Sequence, residues 1–218
     1  MKILNLYACL GGNRYLWGDE HEITAVELDK GLAELYQERY PNDKVLVADA
    51  HQYLLEHYKE FDFIWSSPPC PTHSKVKITQ KNQDFYKPQY PDMKLYEEII
   101  FLKEHCKGQY VVENVNPYYE PLILPQKRGR HLYWTNFIIP NNLDRKEGKG
   151  IMCGQAYNEV DKLCDFHKID RAFLDKYKGK QSKTKIIRNL VDYEVGKKIL
   201  DTAMGIKISR DTKQTELF

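Results

Sequence analysis

Hydrophobic and polar positions follow two periods along the first half of this 218-residue chain. Short apolar runs at Ile3–Ala8, Ile23–Leu28, Lys44–Val47, Phe61–Trp65 and Gln109–Val112 have the length of buried strands. Helical spacing fills the gaps. Gly31–Tyr40 carries Leu32, Leu35 and Tyr36 and stops at Pro41; a second helix is predicted near His51–Tyr58. Met93–Cys106 sets Leu95, Ile99 and Leu102 on one face, and a last helix, about Asp192 to Met204, carries Val195, Ile199 and Leu200. Strands alternating with helices predict an α/β fold, a mostly parallel sheet with helices on both faces. Such sheets bind ligands at the carboxyl ends of their strands.

The pattern breaks twice. Between Pro71 and Asp92 a polar connection interleaves Lys75, Lys77, Lys81 and Lys87 with Phe85, Tyr86 and Tyr90. Connections of this length usually carry function, and the basic-aromatic mix suits phosphates and bases. From Pro140 to about Lys185 the sequence is irregular and charged, which reads as a small insertion. The predicted organisation is a main domain over 1–139, an insertion over 140–185, a helix returning to the main domain over 186–208, and a tail over 209–218.

Composition narrows this picture. At 42% hydrophobic and 29% charged residues, the chain suits one main globular domain. No apolar run is long enough to span a membrane, and Met1-Lys2-Ile3-Leu4-Asn5 opens straight into a strand without a secretory pattern. Five irregularly spaced cysteines fit a reducing compartment, so a cytoplasmic protein is expected. A net charge of +2 leaves any nucleic-acid affinity to a local patch.

The candidate chemistry sits at predicted strand ends. Tyr7, Ala8, Leu10, Gly11 and Gly12 form a strand-to-glycine turn, which lets backbone approach a ligand. Glu27, followed by Leu28, is placed to grip ribose hydroxyls, and Asp49, followed by Ala50, to accept from an adenine amino group. Helix capping is the plainer reading of the two acids, but it does not account for the glycine turn as well. Together the three features predict a nucleoside-containing cofactor. The fourth strand runs into Ser66-Ser67-Pro68-Pro69-Cys70-Pro71-Thr72-His73-Ser74, and the fifth into Glu113-Asn114-Val115. A buried structural thiol is the ordinary reading of Cys70 alone. A thiol and a carboxyl group at neighbouring strand ends are what attack on a heteroaromatic base needs: a nucleophile and a proton donor.

In this order of motifs the chain resembles the DNA cytosine-5 methyltransferase family. Leu6–Gly12 is similar to its first cofactor motif, Glu27 with Asp29 to its second, and Asp49 falls on its third. Pro69-Cys70 followed by Ser74 resembles the Pro-Cys motif. Glu113-Asn114-Val115 resembles the Glu-Asn-Val motif, and Gln126-Lys127-Arg128-Gly129-Arg130 the Gln-x-Arg-x-Arg motif. Arg188-Asn189-Leu190-Val191 and the helix after it are similar to the last cofactor motif.

The resemblance implies a Rossmann-like S-adenosylmethionine-dependent methyltransferase fold, with Pro69, Asn189 and Val191 joining the cofactor residues above. It implies that Cys70 attacks C6 of a flipped-out cytosine, that Glu113 bonds N3 and the amino group, and that Arg130 bonds O2. Arg128 would hold the site together and Asn114 would orient the strand end, with Ser74, Lys75 and Lys77 on the DNA. DNA is the implied partner, and the bacterial nucleoid the implied location. The same chemistry on RNA, and a catalytically silent binding protein of the same fold, are the rival readings. The chain departs from the family pattern at Cys9, where glycine is usual, at Pro71, where glutamine is usual, and at His73, where phenylalanine is usual. The stretch between Arg130 and Arg188 is short for a target-recognition domain.

Two further patterns remain. Cys153, Cys164 and His167 are zinc-ligand types, but the spacing is not that of a finger and no fourth ligand is evident, so no metal is expected. The terminal Gln214-Thr215-Glu216-Leu217-Phe218 resembles the peptide that docks on the bacterial sliding clamp, with Gln214, Leu217 and Phe218 as its contact residues.

Overall fold

A computed structural model of the protein describes residues 1–79, 87–143 and 159–206. Its centre is a seven-stranded sheet of order β3-β2-β1-β4-β5-β7-β6. The strands are β1 (Lys2–Leu6), β2 (Glu22–Glu27), β3 (Lys44–Val47), β4 (Phe63–Ser66), β5 (Gln109–Val115), β6 (Gln126–Arg128) and β7 (His131–Thr135). The first five are mutually parallel, and β7 is antiparallel to both β5 and β6. Strand order reverses between β1 and β4, where an open α/β sheet forms its ligand crevice.

Side-chain alternation along the strands builds two cores. Leu4, Ile64 and Val112 face α2 (Ala50–His57) and α4 (Lys94–His105) through Leu54, Leu95, Ile99 and Leu102. Ile3, Phe63, Trp65 and Val111 face α8 (Tyr193–Ala203) through Val195, Ile199 and Leu200. The expected mostly parallel sheet with helices on both faces is therefore the fold. Helix α1 (Lys30–Arg39) packs Tyr36 against Ala8 and Ala25. Within the polar connection, Val76–Thr79 forms a single helical turn, α3.

Two regions go beyond the sequence expectation. The β6–β7 hairpin has no apolar alternation in Gln126-Lys127-Arg128; it forms because β7 buries Leu132 and Trp134 beside β5. Gly129, at φ +54°, supplies the first position of its two-residue turn. The segment read as irregular folds, in its described part, into three short helices: α5 (Glu159–His167), α6 (Arg171–Asp175) and α7 (Lys183–Arg188). Leu163, Leu174, Ile186 and Ile187 from these helices pack on Leu10, Leu32 and Leu35 of the main domain. Helices this short need few apolar positions, so charge dominates their sequence. Among the described residues, no helix is long and apolar enough to cross a membrane.

Candidate active site

The loop after β1 is held in an unusual backbone. Tyr7, Cys9 and Gly11 have φ of +56°, +48° and +66°. Left-handed backbone costs a non-glycine residue about 1 kcal/mol or more, so the surroundings must enforce it. Ala8 N donates to Val26 O at 3.1 Å, Gly11 N to Ala8 O at 2.8 Å, and Cys9 N to a Glu27 carboxylate oxygen at 2.8 Å. The Tyr7 hydroxyl donates to the buried Glu98 at 2.5 Å. The position where the family pattern has glycine is thus one where glycine would be unstrained. Both glycines of the turn serve contacts within the protein. A Cβ on Gly11 would stand 2.5 Å from the Tyr40 ring, and one on Gly12 would stand 2.4 Å from Val191 O.

The two strand-end acids differ. Glu27 is no helix cap: its second oxygen accepts from Asp29 N at 2.9 Å, and burial pushes its pKa up. Asp29 caps α1 instead, accepting from Gly31 N and Leu32 N, and it also accepts from the Tyr177 hydroxyl at 2.6 Å. Burial opposes its ionisation, but bonds from Tyr177, Gln181 and the two backbone amides win, so its pKa is lowered. Asp49 does cap α2: Oδ1 accepts from His51 N and Gln52 N, while Oδ2 lies 3.8 Å from Lys94 Nζ. The bond from Gln52 N leads the causes that lower its pKa, with the charge of Lys94 and the bond from His51 N behind it.

The loop that carries Cys70 is tied to the next strand. Asn114 Nδ2 donates to Pro68 O at 2.9 Å, and Cys70 O accepts from His73 N and Ser74 N, both at 3.0 Å. Burial first, then the charge of Glu113, push the Cys70 thiol up, against a pull down from Lys185. Glu113 is 8% exposed, and among the described residues no hydrogen bond engages its carboxyl group. Its near neighbour is His131, with Nε2 3.8 Å away.

One cavity of about 940 Å³ joins these parts. Tyr7, Ala8, Gly12, Glu27, Leu28, Asp49 and Ala50 line its first half. Pro69, Cys70, Glu113 and Asn114 line the second, with Asn189 and Val191 on the wall between α7 and α8. Its volume lies at the upper end of small-molecule sites.

Other expected residues lie elsewhere. Leu10 is fully buried in the core, and Gly11 faces α1 rather than the cavity. Arg128 donates to Pro140 O at 2.6 Å and Ile139 O at 2.7 Å, so it braces the chain after β7. Arg130 is exposed on the β6–β7 turn and does not line the cavity. Ser74 bridges to Pro117 and Lys75 is exposed, both off the cavity. The Lys77 side chain, Cys153 and the C-terminal Gln214, Leu217 and Phe218 lie outside the described residues. Among the described residues, no group of three potential ligands is arranged to hold a metal ion. The cavity also takes His131 and Tyr133 from β7, and Lys180, Gln181, Lys185 and Arg188 from α7 and the turn before it. The one signal for the first two was their alternation, two residues apart, just after the arginine motif.

Comparison with known proteins fits this geometry. The family model "C-5 cytosine-specific DNA methylase" matches residues 1–120. The chain is similar in fold to the Entamoeba histolytica methyltransferase EhMeth, at 10% identity and a TM-score of 0.54, over 94% of this chain and 98% of that one. It is also similar to a substituted Spodoptera frugiperda DNMT2, at 25% identity and a TM-score of 0.36, over 52% of this chain and 35% of that one. The chain thus spans about a third of the length of that DNMT2 structure. No curated protein matches it. The match over residues 1–120, more than half of the sequence, makes this chain a member of the C-5 cytosine-specific DNA methylase family.

Proposed function

We propose that the protein transfers a methyl group from S-adenosylmethionine to C5 of a cytosine in DNA. The observation that carries this reading is the placement of Cys70 and Glu113. Cys70 follows β4 and Glu113 lies near the end of the adjacent parallel strand β5, and both open on the cavity that also holds Glu27, Leu28 and Asp49.

The cofactor half fits the donor. Both Glu27 oxygens already accept a backbone amide, yet a carboxylate oxygen has a second lone pair for a ribose hydroxyl. Asp49 keeps Oδ2 for an adenine amino group, and exposed Leu28 offers an apolar wall for the ring. Tyr7, Ala8, Gly12, Ala50, Pro69, Asn189 and Val191 would complete the enclosure.

Cytosine C5 is a poor nucleophile. The Cys70 thiolate would bond C6, and the ring electrons would move to make C5 an enamine carbon while Glu113 gives N3 a proton. S-Adenosylmethionine, when bound, supplies the electrophilic methyl group that this carbon takes. Transfer of the C5 proton to a water in the cavity, expulsion of the Cys70 thiolate and return of the N3 proton to Glu113 then restore the ring. A base inside a duplex cannot reach a half-buried thiol, so the cytosine must be flipped out. Asn114 keeps the Cys70 loop and the Glu113 strand in one geometry through Pro68. Lys185, whose charge favours the thiolate, works against the desolvation of Cys70.

Nucleoside mass spectrometry on DNA from a methylation-deficient host expressing the protein, beside Cys70→Ala, tests the proposal. 5-Methyldeoxycytidine is expected from the wild type alone. Modified cytosine in RNA but not DNA would move the substrate; none in either would reject the enzyme reading. The C-terminal Gln-x-x-Leu-Phe peptide supports docking on a sliding clamp. Deleting the last five residues is then expected to abolish clamp binding and spare activity on naked DNA.

A further inference from the structure

Glu113 has a neighbour that the motifs did not announce. The antiparallel register of β5 and β7 sets Tyr133 opposite Glu113 and His131 opposite Val115. Alternate residues of a strand share a face, so His131 stands diagonally beside Glu113 on the cavity side. Its Nε2 lies 3.8 Å from the Glu113 carboxylate, beyond hydrogen-bond reach. Neither group therefore uses up its donor or acceptor on the other. Among the described residues, the other ring contact of His131 is the edge of Tyr133, at 6.4 Å. Two polar groups 3.8 Å apart, both turned to one cavity, suit adjacent atoms on one edge of a heteroaromatic base. Arg130, which the motif assigns to O2, sits one residue earlier on the exposed hairpin turn.

We propose that His131 donates the hydrogen bond to O2 of the bound cytosine, beside Glu113 at N3. The proposal rests on the cytosine-methyltransferase reading of this cavity. A neutral imidazole protonated at Nε2 can donate, as can the charged ring. Electron density flows toward N3 and O2 as the C6–sulfur bond forms, so a donor at O2 binds the adduct more tightly than the free base. Its loss is expected to lower kcat more than it raises KM.

The experiment uses full-length protein and a duplex carrying the target mapped by bisulfite sequencing, with cytosine or 2-thiocytosine at the methylated position. Sulfur at position 2 is a weaker acceptor, and general damage to the fold would slow both substrates alike. Wild type is expected to be slower on 2-thiocytosine by roughly tenfold. His131→Ala is expected to lose roughly tenfold to a hundredfold on cytosine and to discriminate less than about twofold between the two bases. His131→Asn, which keeps a side-chain donor, is expected to recover part of the rate. If His131→Ala discriminates as strongly as wild type, the O2 contact lies elsewhere and the proposal is overturned. Loss of discrimination in Arg130→Ala with its retention in His131→Ala would assign the contact to Arg130. Wild-type protein inactive on every cytosine substrate would instead reject the underlying reading, and the proposal would fall with it.

Discussion

Replacing Glu98 by alanine removes the acceptor that fastens the loop after β1 to the sheet. Glu98 lies on α4 at 1% exposure and accepts from the hydroxyls of Tyr7 and Ser66, each at 2.5 Å, with His51 Nδ1 at 3.0 Å. Bonds to a charged group contribute about 1.5–3 kcal/mol each, so three independent ones would sum to roughly 5–9 kcal/mol. They are not independent. They share one carboxylate, the two hydroxyls can turn, and His51 has Glu97 at 3.2 Å as a second partner. The expected cost of Glu98→Ala is therefore about 3–4 kcal/mol. For a domain of this size that lowers Tm by roughly 6–16 °C. Glu98→Gln keeps one acceptor oxygen but turns an amide against a donor, for about 2 kcal/mol. Circular-dichroism melts give both values. The pH dependence adds a check. The bond to Glu98 heads the causes that raise the His51 pKa, against an opposing effect of burial. A raised histidine stabilises fully below its unfolded value, about 6.5, and that share is lost as pH rises through the folded pKa. Wild-type Tm should thus fall more than that of Glu98→Ala between about pH 6 and about pH 8. A variant melting within about 2 °C of wild type, or with an unchanged pH profile, refutes the network as the fastener.

Other perturbations probe the same frame. Gly12→Ala drives a methyl group onto Val191 O, where backbone must move; about 2 kcal/mol of stability should be lost, with weaker S-adenosylmethionine binding by calorimetry. Tyr177→Phe breaks the bond to Asp29 and should cost about 1–2 kcal/mol, with earlier proteolysis between α6 and α7; unchanged cleavage would argue against that tether. The loss should shrink in acid. Asp29 has a lowered pKa, so its share is present above the unfolded value of about 3.9 and lost as pH falls through the folded one. Alkylation of Cys70 by iodoacetamide should climb about tenfold per pH unit up to at least about pH 9, because burial and then Glu113 disfavour the thiolate. A plateau near neutrality in peptide mass spectra would show that the thiolate is already formed.

Strands β1, β2, β4 and β5 were legible because they are buried on both faces and their apolar runs are nearly continuous, and the edge strand β3 because Val45-Leu46-Val47 is a short apolar run. β6 was not, because Gln126-Lys127-Arg128 is polar and its pairing is decided by β7. Motif positions were legible in their order along the chain but not always in their geometry. Cys70, Glu113, Glu27 and Asp49 do share a cavity. Yet the motif arginine Arg130 occupies a turn, and the histidine after it faces Glu113. Residue spacing does not reveal which side of a hairpin faces inward; the register with β5 does. In the same way the unusual cysteine at position 9 was visible, while the positive φ that makes it costly belongs to the folded loop.

The charged stretch before the last helix carries the larger lesson. It reads as a small insertion because lysine, aspartate and glycine are frequent in it, and in its described part the apolar side chains fold inward. Leu163, Leu174, Ile186 and Ile187 close over Leu10, Leu32 and Leu35, and Tyr177 and Gln181 reach Asp29 at the start of α1. That anchoring brings Lys180, Gln181, Lys185 and Arg188 to the cavity wall. A segment that packs there shapes the cavity wall and the charge around Cys70 together. Mutations in it should therefore alter cofactor binding and thiol reactivity in parallel. A segment that only read bases would leave both unchanged, and that contrast can be measured without knowing the target sequence.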